Sequence, residues 1–173
     1  MKHITLITGG ARSGKSSRAL ELAAAADAGR RFFIATGEAL DTEMAARIAH
    51  HKRTRPSEFE TIDMPTDIVS ALRSIEDKAA VAVVDCVTLW ISNLMRTEAV
   101  DDAILAAADS LTAALVQANF ASFVVTDEVG MGIVPEYQAG RRFRDLLGWT
   151  NQKIAAAADE VILMVAGCAL KLK

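Results

Sequence analysis

Disulfide and metal-cluster chemistry have little material in this sequence. Its 173 residues hold two cysteines, Cys86 and Cys168, far apart along the chain. Such usage points to a reducing cytoplasm. No apolar run approaches the ~18 residues of a membrane span, and the amino end lacks a secretory apolar segment. Acidic and basic residues nearly balance, 22 against 19, leaving a net charge of −3. That excludes a global attraction to nucleic acid or to an anionic membrane. Repeats, linkers and low-complexity segments are missing as well. What remains is 51% hydrophobic and 24% charged, an ordinary globular composition, and the length suits one domain over residues 1–173. Alanine clusters at Ala23 to Ala26, Ala106 to Ala108 and Ala155 to Ala158, where it favours closely packed helices.

Against that background one motif stands out. Gly9-Gly10-Ala11-Arg12-Ser13-Gly14-Lys15-Ser16 spells G-x-x-x-x-G-K-S, directly after the apolar run Ile4-Thr5-Leu6-Ile7 and directly before a helical stretch. The setting is what a phosphate-binding loop needs. Glycines let backbone N–H groups approach phosphate oxygens, Lys15 supplies a point charge, and the helix N-terminus adds a favourable dipole. Ser16 would set its hydroxyl on a bound Mg2+ ion. The expected ligand is a nucleoside triphosphate.

Apolar strands alternate with amphipathic helices along the rest of the chain. Strands are expected at His3–Thr8, Arg31–Ala35, Phe59–Asp63, Val81–Asp85, Ser122–Thr126 and Glu160–Val165, with His3 at a sheet edge. Helices are expected near Ser17–Ala28, Asp41–Lys52, Asp67–Ile75, Val87–Met95, Val100–Asn119 and Phe143–Ala158. Ala82-Val83-Val84 and Phe123-Val124-Val125 are continuously apolar, as in strands covered on both faces. The fold class is α/β, a mainly parallel sheet flanked by helices. Ligands of such sheets gather beyond the carboxyl ends of the strands. Segments expected there are the phosphate loop, Thr36-Gly37-Glu38, Asp85-Cys86 and the run from Asp127 to Gly132.

Asp85 ends an apolar strand, where phosphate-loop enzymes place the acid that holds magnesium through its water shell. The alternative is a helix N-cap before Val87–Met95. His50-His51-Lys52-Arg53-Thr54-Arg55-Pro56 closes another helix, and Pro56 enforces an extended exit. Basic residues there could simply complement the helix dipole. Yet two of the chain's three histidines sit in this run. Met44, Ile48 and His51 share one helical stripe, whereas His50 points away, toward solvent. A buried structural histidine and a working one both fit the stripe. Near a triphosphate, neutral imidazole is a competent nucleophile at phosphorus, and neighbouring guanidinium groups would offset charge on the phosphate oxygens.

Four elements together resemble one family: the phosphate loop, the stretch Asp41 to Ile48, His51-x-x-x-Arg55-Pro56, and Glu128-Val129-Gly130-Met131-Gly132-Ile133-Val134-Pro135. Asn151-Gln152 and Ala155 to Val161 fit it too, in the same order nearly end to end. It is the bifunctional adenosylcobinamide kinase / adenosylcobinamide-phosphate guanylyltransferase family of cobalamin biosynthesis. The resemblance implies a RecA-like sheet, a homotrimer, and two reactions. ATP or GTP phosphorylates adenosylcobinamide. GTP then guanylylates a histidine, which passes GMP to adenosylcobinamide phosphate and leaves pyrophosphate. By position His51 would carry the GMP. Ala35, Thr36, Gly37, Lys52, Arg53, Thr54, Arg55, Asp63 and Asp85 would join the phosphate loop in binding nucleotide, with Ser16 and Asp85 holding Mg2+.

The chain departs from the family pattern at several points. Asp63 and Asp85 stand where glutamate is common, Phe59 where tryptophan is frequent, and Asp127 where asparagine is. Asp63 and Asp85 keep the carboxylate, one methylene shorter. Gly130, Gly132 and Tyr137 read as a lid over a corrinoid or as plain turn residues. Arg141, Arg142 and Arg144 read as a solvated helix face, Cys86 as a small buried residue, and Trp90, Leu94 and Met95 as core contacts. Two rival readings remain at this point: a simple small-molecule kinase, and a RecA-like ATPase module with a nucleic-acid or protein partner.

Overall fold

A computed structural model describes residues 2–26, 29–97 and 100–173. The first strand, β1 (His3–Gly9), leads through the phosphate loop into α1 (Lys15–Ala26); the expected helix end at Ala28 lies outside the described residues. There follow β2 (Arg31–Ala35), α2 (Thr42–Thr54), β3 (Phe59–Asp63), α3 (Ile68–Ser74), β4 (Val81–Asp85) and α4 (Val87–Arg96). The chain closes with α5 (Asp101–Gln117), β5 (Ala121–Val125), α6 (Gln138–Ala157), β6 (Glu160–Val165) and β7 (Cys168–Lys171).

The seven strands form one sheet in the order β3-β2-β4-β5-β1-β6-β7. All neighbours run parallel except β6 and β7, an antiparallel hairpin. β1 therefore lies inside the sheet, between β5 and β6, and His3 does not begin an edge as expected. Parallel strands need covered faces, and both are covered. On one side α3, α4, α5 and α6 pack around Trp90, Ile104, Leu111 and Leu146. On the other α1 lays Ala19 and Ala23 against Ile7, Val83 and Phe123. The two alanines are fully buried, so the small side chains let the helix approach the strands closely.

α2 differs from the other helices. Asp41 caps its start by accepting from the Met44 amide at 2.7 Å. Arg55 leaves it in extended conformation, as a residue before proline must. None of its residues is buried. Met44 and Ile48 are half-buried, and Ile48 meets Gly37 and so rests over the carboxyl ends of the strands.

Register brings those ends level. Ile7 pairs with Val125, and Val125 with Asp85. The phosphate loop, Asp85 and the residues after β5 therefore emerge side by side.

Candidate active site

The phosphate loop is held in shape by backbone conformations that few residues tolerate. Gly9 has φ +149, and a Cβ there would collide with the Met164 carbonyl of β6. Gly14 has φ +95, and Arg12 takes a left-handed φ of 57. The β6–β7 turn supports the loop from outside, where the Gly167 amide donates to the Ser13 carbonyl at 3.1 Å. Ser13 and Lys15 are buried beneath it. Lys15 Nζ donates to the Gly10 carbonyl at 2.6 Å and stands 2.6 Å from Asp127 Oδ1.

Asp85 does not cap α4. Cys86 occupies the N-cap position and makes no side-chain capping bond. Instead Asp85 lies beside the Ser16 hydroxyl at the cleft. Desolvation pushes its carboxyl above the usual carboxylate range. The Ser16 hydroxyl, then the nearby His51 and Arg55 side chains, pull it back, while Asp127 raises it further. These are oxygen donors suited to a hard cation that keeps most of its water. Among the described residues no group of three or more His, Cys, Asp or Glu could hold a metal by itself. The set therefore fits Mg2+ arriving with phosphates better than a resident metal.

A cleft of about 870 Å3 opens above these ends. Ala11 to Ser16 form its floor, Ala35, Gly37, Asp63 and Asp85 one side, and His51, Lys52 and Arg55 of the α2 end the other. The volume lies within the range of small-molecule sites, about 300–1,000 Å3. His51 faces it on the stripe of Met44 and Ile48. His50 is exposed, as expected, and it also lines the same cleft and a smaller one of about 210 Å3 with Ser17, Leu20 and Thr54. The two rings meet edge to face with centroids 6.0 Å apart. Lys52 pairs with Asp63 at 2.9 Å. Arg55 stacks on Phe33 and donates to the Thr61 hydroxyl at 2.5 Å. Burial pulls its guanidinium below the ordinary value, with Asp85 and Asp63 opposing; it stays charged at any working pH.

Not every expected residue reaches the cleft. Thr36 is fully buried. Its hydroxyl donates to the Cys86 carbonyl at 2.7 Å and accepts from the Cys86 amide at 2.8 Å, so it braces β2 against β4. Gly9 and Gly10 shape the loop from below the cleft wall, and Arg53 is exposed and lines neither cavity. Thr54 donates to the carbonyls of His50 and His51 along its own helix. Asp127 and Phe33, in contrast, both line the cleft, although no local pattern marks them as nucleotide-binding residues.

A profile described as cobinamide kinase / cobinamide phosphate guanyltransferase matches residues 5–172 of this chain. The chain belongs to that family. A bifunctional adenosylcobalamin biosynthesis protein CobU of Escherichia coli strain K12 is 40% identical, over 97% of this chain and 98% of its own. Its namesake in Salmonella typhimurium strain LT2 is 39% identical over the same shares. A CobP protein of Pseudomonas aeruginosa is 37% identical over 97% and 96%. Solved structures share the RecA-like fold at low identity. The RadB recombinase has TM-score 0.52 at 13% identity, covering 94% of this chain and 74% of that one. The flagellar accessory protein FlaH of Methanocaldococcus jannaschii has TM-score 0.55 at 15%, covering 99% and 78%.

In this family member the phosphate loop and the histidine-bearing end of α2 line one cleft. The missed residues carried a signal of a kind. Asp127 comes two residues after the fully buried strand β5, in the run expected at the binding edge, but only the strand order shows that it meets Lys15.

Proposed function

We propose that this chain carries out both family reactions in one domain spanning residues 1–173. The first transfers the γ-phosphoryl group of ATP or GTP to the aminopropanol hydroxyl of adenosylcobinamide. In the second, an imidazole nitrogen of His51 attacks the α-phosphorus of GTP, the bond to the bridging oxygen breaks, and pyrophosphate leaves. The phosphate oxygen of adenosylcobinamide phosphate then attacks the same phosphorus, giving adenosylcobinamide-GDP and free His51. The observation that carries this reading is that His51 and the Lys15–Ser16 cradle line one cleft.

Each group has work suited to its place. Backbone amides of Ala11, Arg12, Ser13 and Gly14, with Lys15, hold the terminal phosphates on a loop whose shape Gly9 and Gly10 set. Ser16 and Asp85 hold Mg2+, which supplies charge neutralisation when bound. Arg55, fixed flat on Phe33, offsets charge at the α-phosphate. Ala35, Gly37, Lys52 and Asp63 form the guanine-nucleotide side, with Thr36 acting through the brace it makes, while Arg53 and Thr54 would reach the nucleotide only with movement of the α2 end. The loop after Asp127 suits a corrinoid too bulky to enter the cleft, since Met131, Ile133, Val134 and Tyr137 are all strongly exposed. Glu128 fastens its base by accepting from the Gly130 amide at 2.5 Å. Family resemblance adds a homotrimer acting in the cytoplasm without nucleic acid. No helix among the described residues is long and apolar enough to cross a membrane.

Incubation with α-labelled GTP tests the covalent step. Wild type and His50→Ala should acquire acid-labile, base-stable label, and His51→Ala should not. Label retained on His51→Ala would sink the assignment. An unlabelled wild type with intact kinase activity would leave a simple phosphate-loop kinase.

A further inference from the structure

Asp127 is placed more firmly than a loop residue needs to be. Its amide lies 2.7 Å from the Thr88 hydroxyl of α4, and its carbonyl accepts from Asn151 of α6 at 3.1 Å. The next residue, Glu128, donates its amide to the Gly9 carbonyl at 3.1 Å. Three elements thus fix the backbone without any help from the carboxylate. That carboxylate is free for another task, and it lies 2.6 Å from Lys15 Nζ. Lys15 is only 9% exposed and Asp127 28%, so the pair is poorly screened and opens toward the cleft on the aspartate side.

Lys15 must reach phosphate oxygens when a triphosphate binds, and those oxygens carry the same sign as Asp127. The carboxylate stands where an anionic ligand would stand. A second acid, Asp85, is near enough for each charge to be felt by the other. An entering polyphosphate therefore meets two carboxylates and a lysine already matched.

We propose that Asp127 is a positioning residue, the resting counter-ion of Lys15, which triphosphate must displace to bind. This rests on the nucleotide-binding half of the function proposed above. An asparagine at this position would hold Lys15 by a neutral contact and set no such threshold. The restraint is a property of the carboxylate form.

The test compares wild type with Asp127→Asn, which keeps shape and removes charge, by calorimetric titration of a non-hydrolysable GTP analogue. One arm contains excess Mg2+ and the other EDTA. In EDTA the asparagine variant should bind at least roughly tenfold more tightly, because like-charge repulsion at short range is removed. A gain of affinity is not what damage to a structural residue produces. Asp127→Ser serves the same comparison should the asparagine variant melt early. Equal or weaker affinity in EDTA, including binding too weak to measure in both proteins, overturns the inference. Wild type that fails to bind even with Mg2+ overturns the nucleotide-site reading as well.

Discussion

The guanidinium carbon of Arg55 lies 3.5 Å from the centre of the Phe33 ring. Phe33 is a buried residue of β2, so the ring cannot swing away and the guanidinium plane is set by the sheet itself. Arg55→Lys keeps the charge but loses the flat contact and the forked donors. We expect it to slow pyrophosphate exchange into GTP by roughly 10²-fold, in the range for removal of one charge-stabilising group. The kinase rate should fall much less. Equal losses in both reactions would mean that Arg55 serves the shared triphosphate cradle instead.

Gly9 offers a sharper structural test. Its Cβ position is filled by the Met164 carbonyl, and its φ is one that side chains rarely adopt. Gly9→Ala should cost about 1–3 kcal/mol in urea unfolding and weaken triphosphate binding together with it. An alanine variant of wild-type stability and affinity would contradict the described loop.

Thiol reactivity should separate the two cysteines. Burial, then the neighbouring Asp85 charge, pushes the Cys86 thiol up to about 12. At pH 8 its reactive thiolate is on the order of one part in 10⁴. Cys168 is exposed in β7. A disulfide reagent should therefore titrate one thiol quickly in the native protein and two after denaturation. Cys168→Ser should remove the fast one.

Asp67 caps α3, and hydrogen bonds from Ser70 hold its carboxyl below the usual range. A carboxyl lowered by folding stabilises the protein above its unfolded value, near 3.9, and loses that effect as pH falls through the folded value. Asp67→Ala should cost about 1 kcal/mol at pH 7. Measured by urea titration, the gap between variant and wild type should shrink as pH drops below about 4. A gap that persists there would assign the cost to something other than the charged cap.

How much could be read in advance varies with the length scale involved. β2, β4 and β6 begin and end where expected, because a covered parallel strand is written as a nearly continuous apolar block, and the edge strand β3 keeps its expected bounds although only Phe59 and Ile62 of it are apolar. β7 escaped notice. Its Cys168-Ala169-Leu170-Lys171 lacks β-branched residues, and the Ala166-Gly167 turn before it was the available cue. α6 begins at Gln138, well before Phe143, since its first turns are polar and lean on the preceding loop through Arg141, which donates to the Pro135 carbonyl at 2.9 Å. Arg142 reaches Asp101 at 2.6 Å, so that face is tied as well as solvated. The phosphate loop, Asp85 and the His51 stripe could be recognised because each is a local pattern. The Lys15–Asp127 pair could not, because β5 lies between β1 and β4 only through the order of strands, which alternation of elements does not specify.

α2 has no buried residue, although it carries His51, the nucleophile proposed above. A wall so lightly anchored can swing without disturbing the sheet, and amides in it should exchange with deuterium faster than those of β4 or β5 until nucleotide is added. One floor could then serve successive partners by moving its roof. If the proposed nucleophile acts on an inner phosphate after a terminal one has gone, it is placed on the wall that holds fewest buried residues.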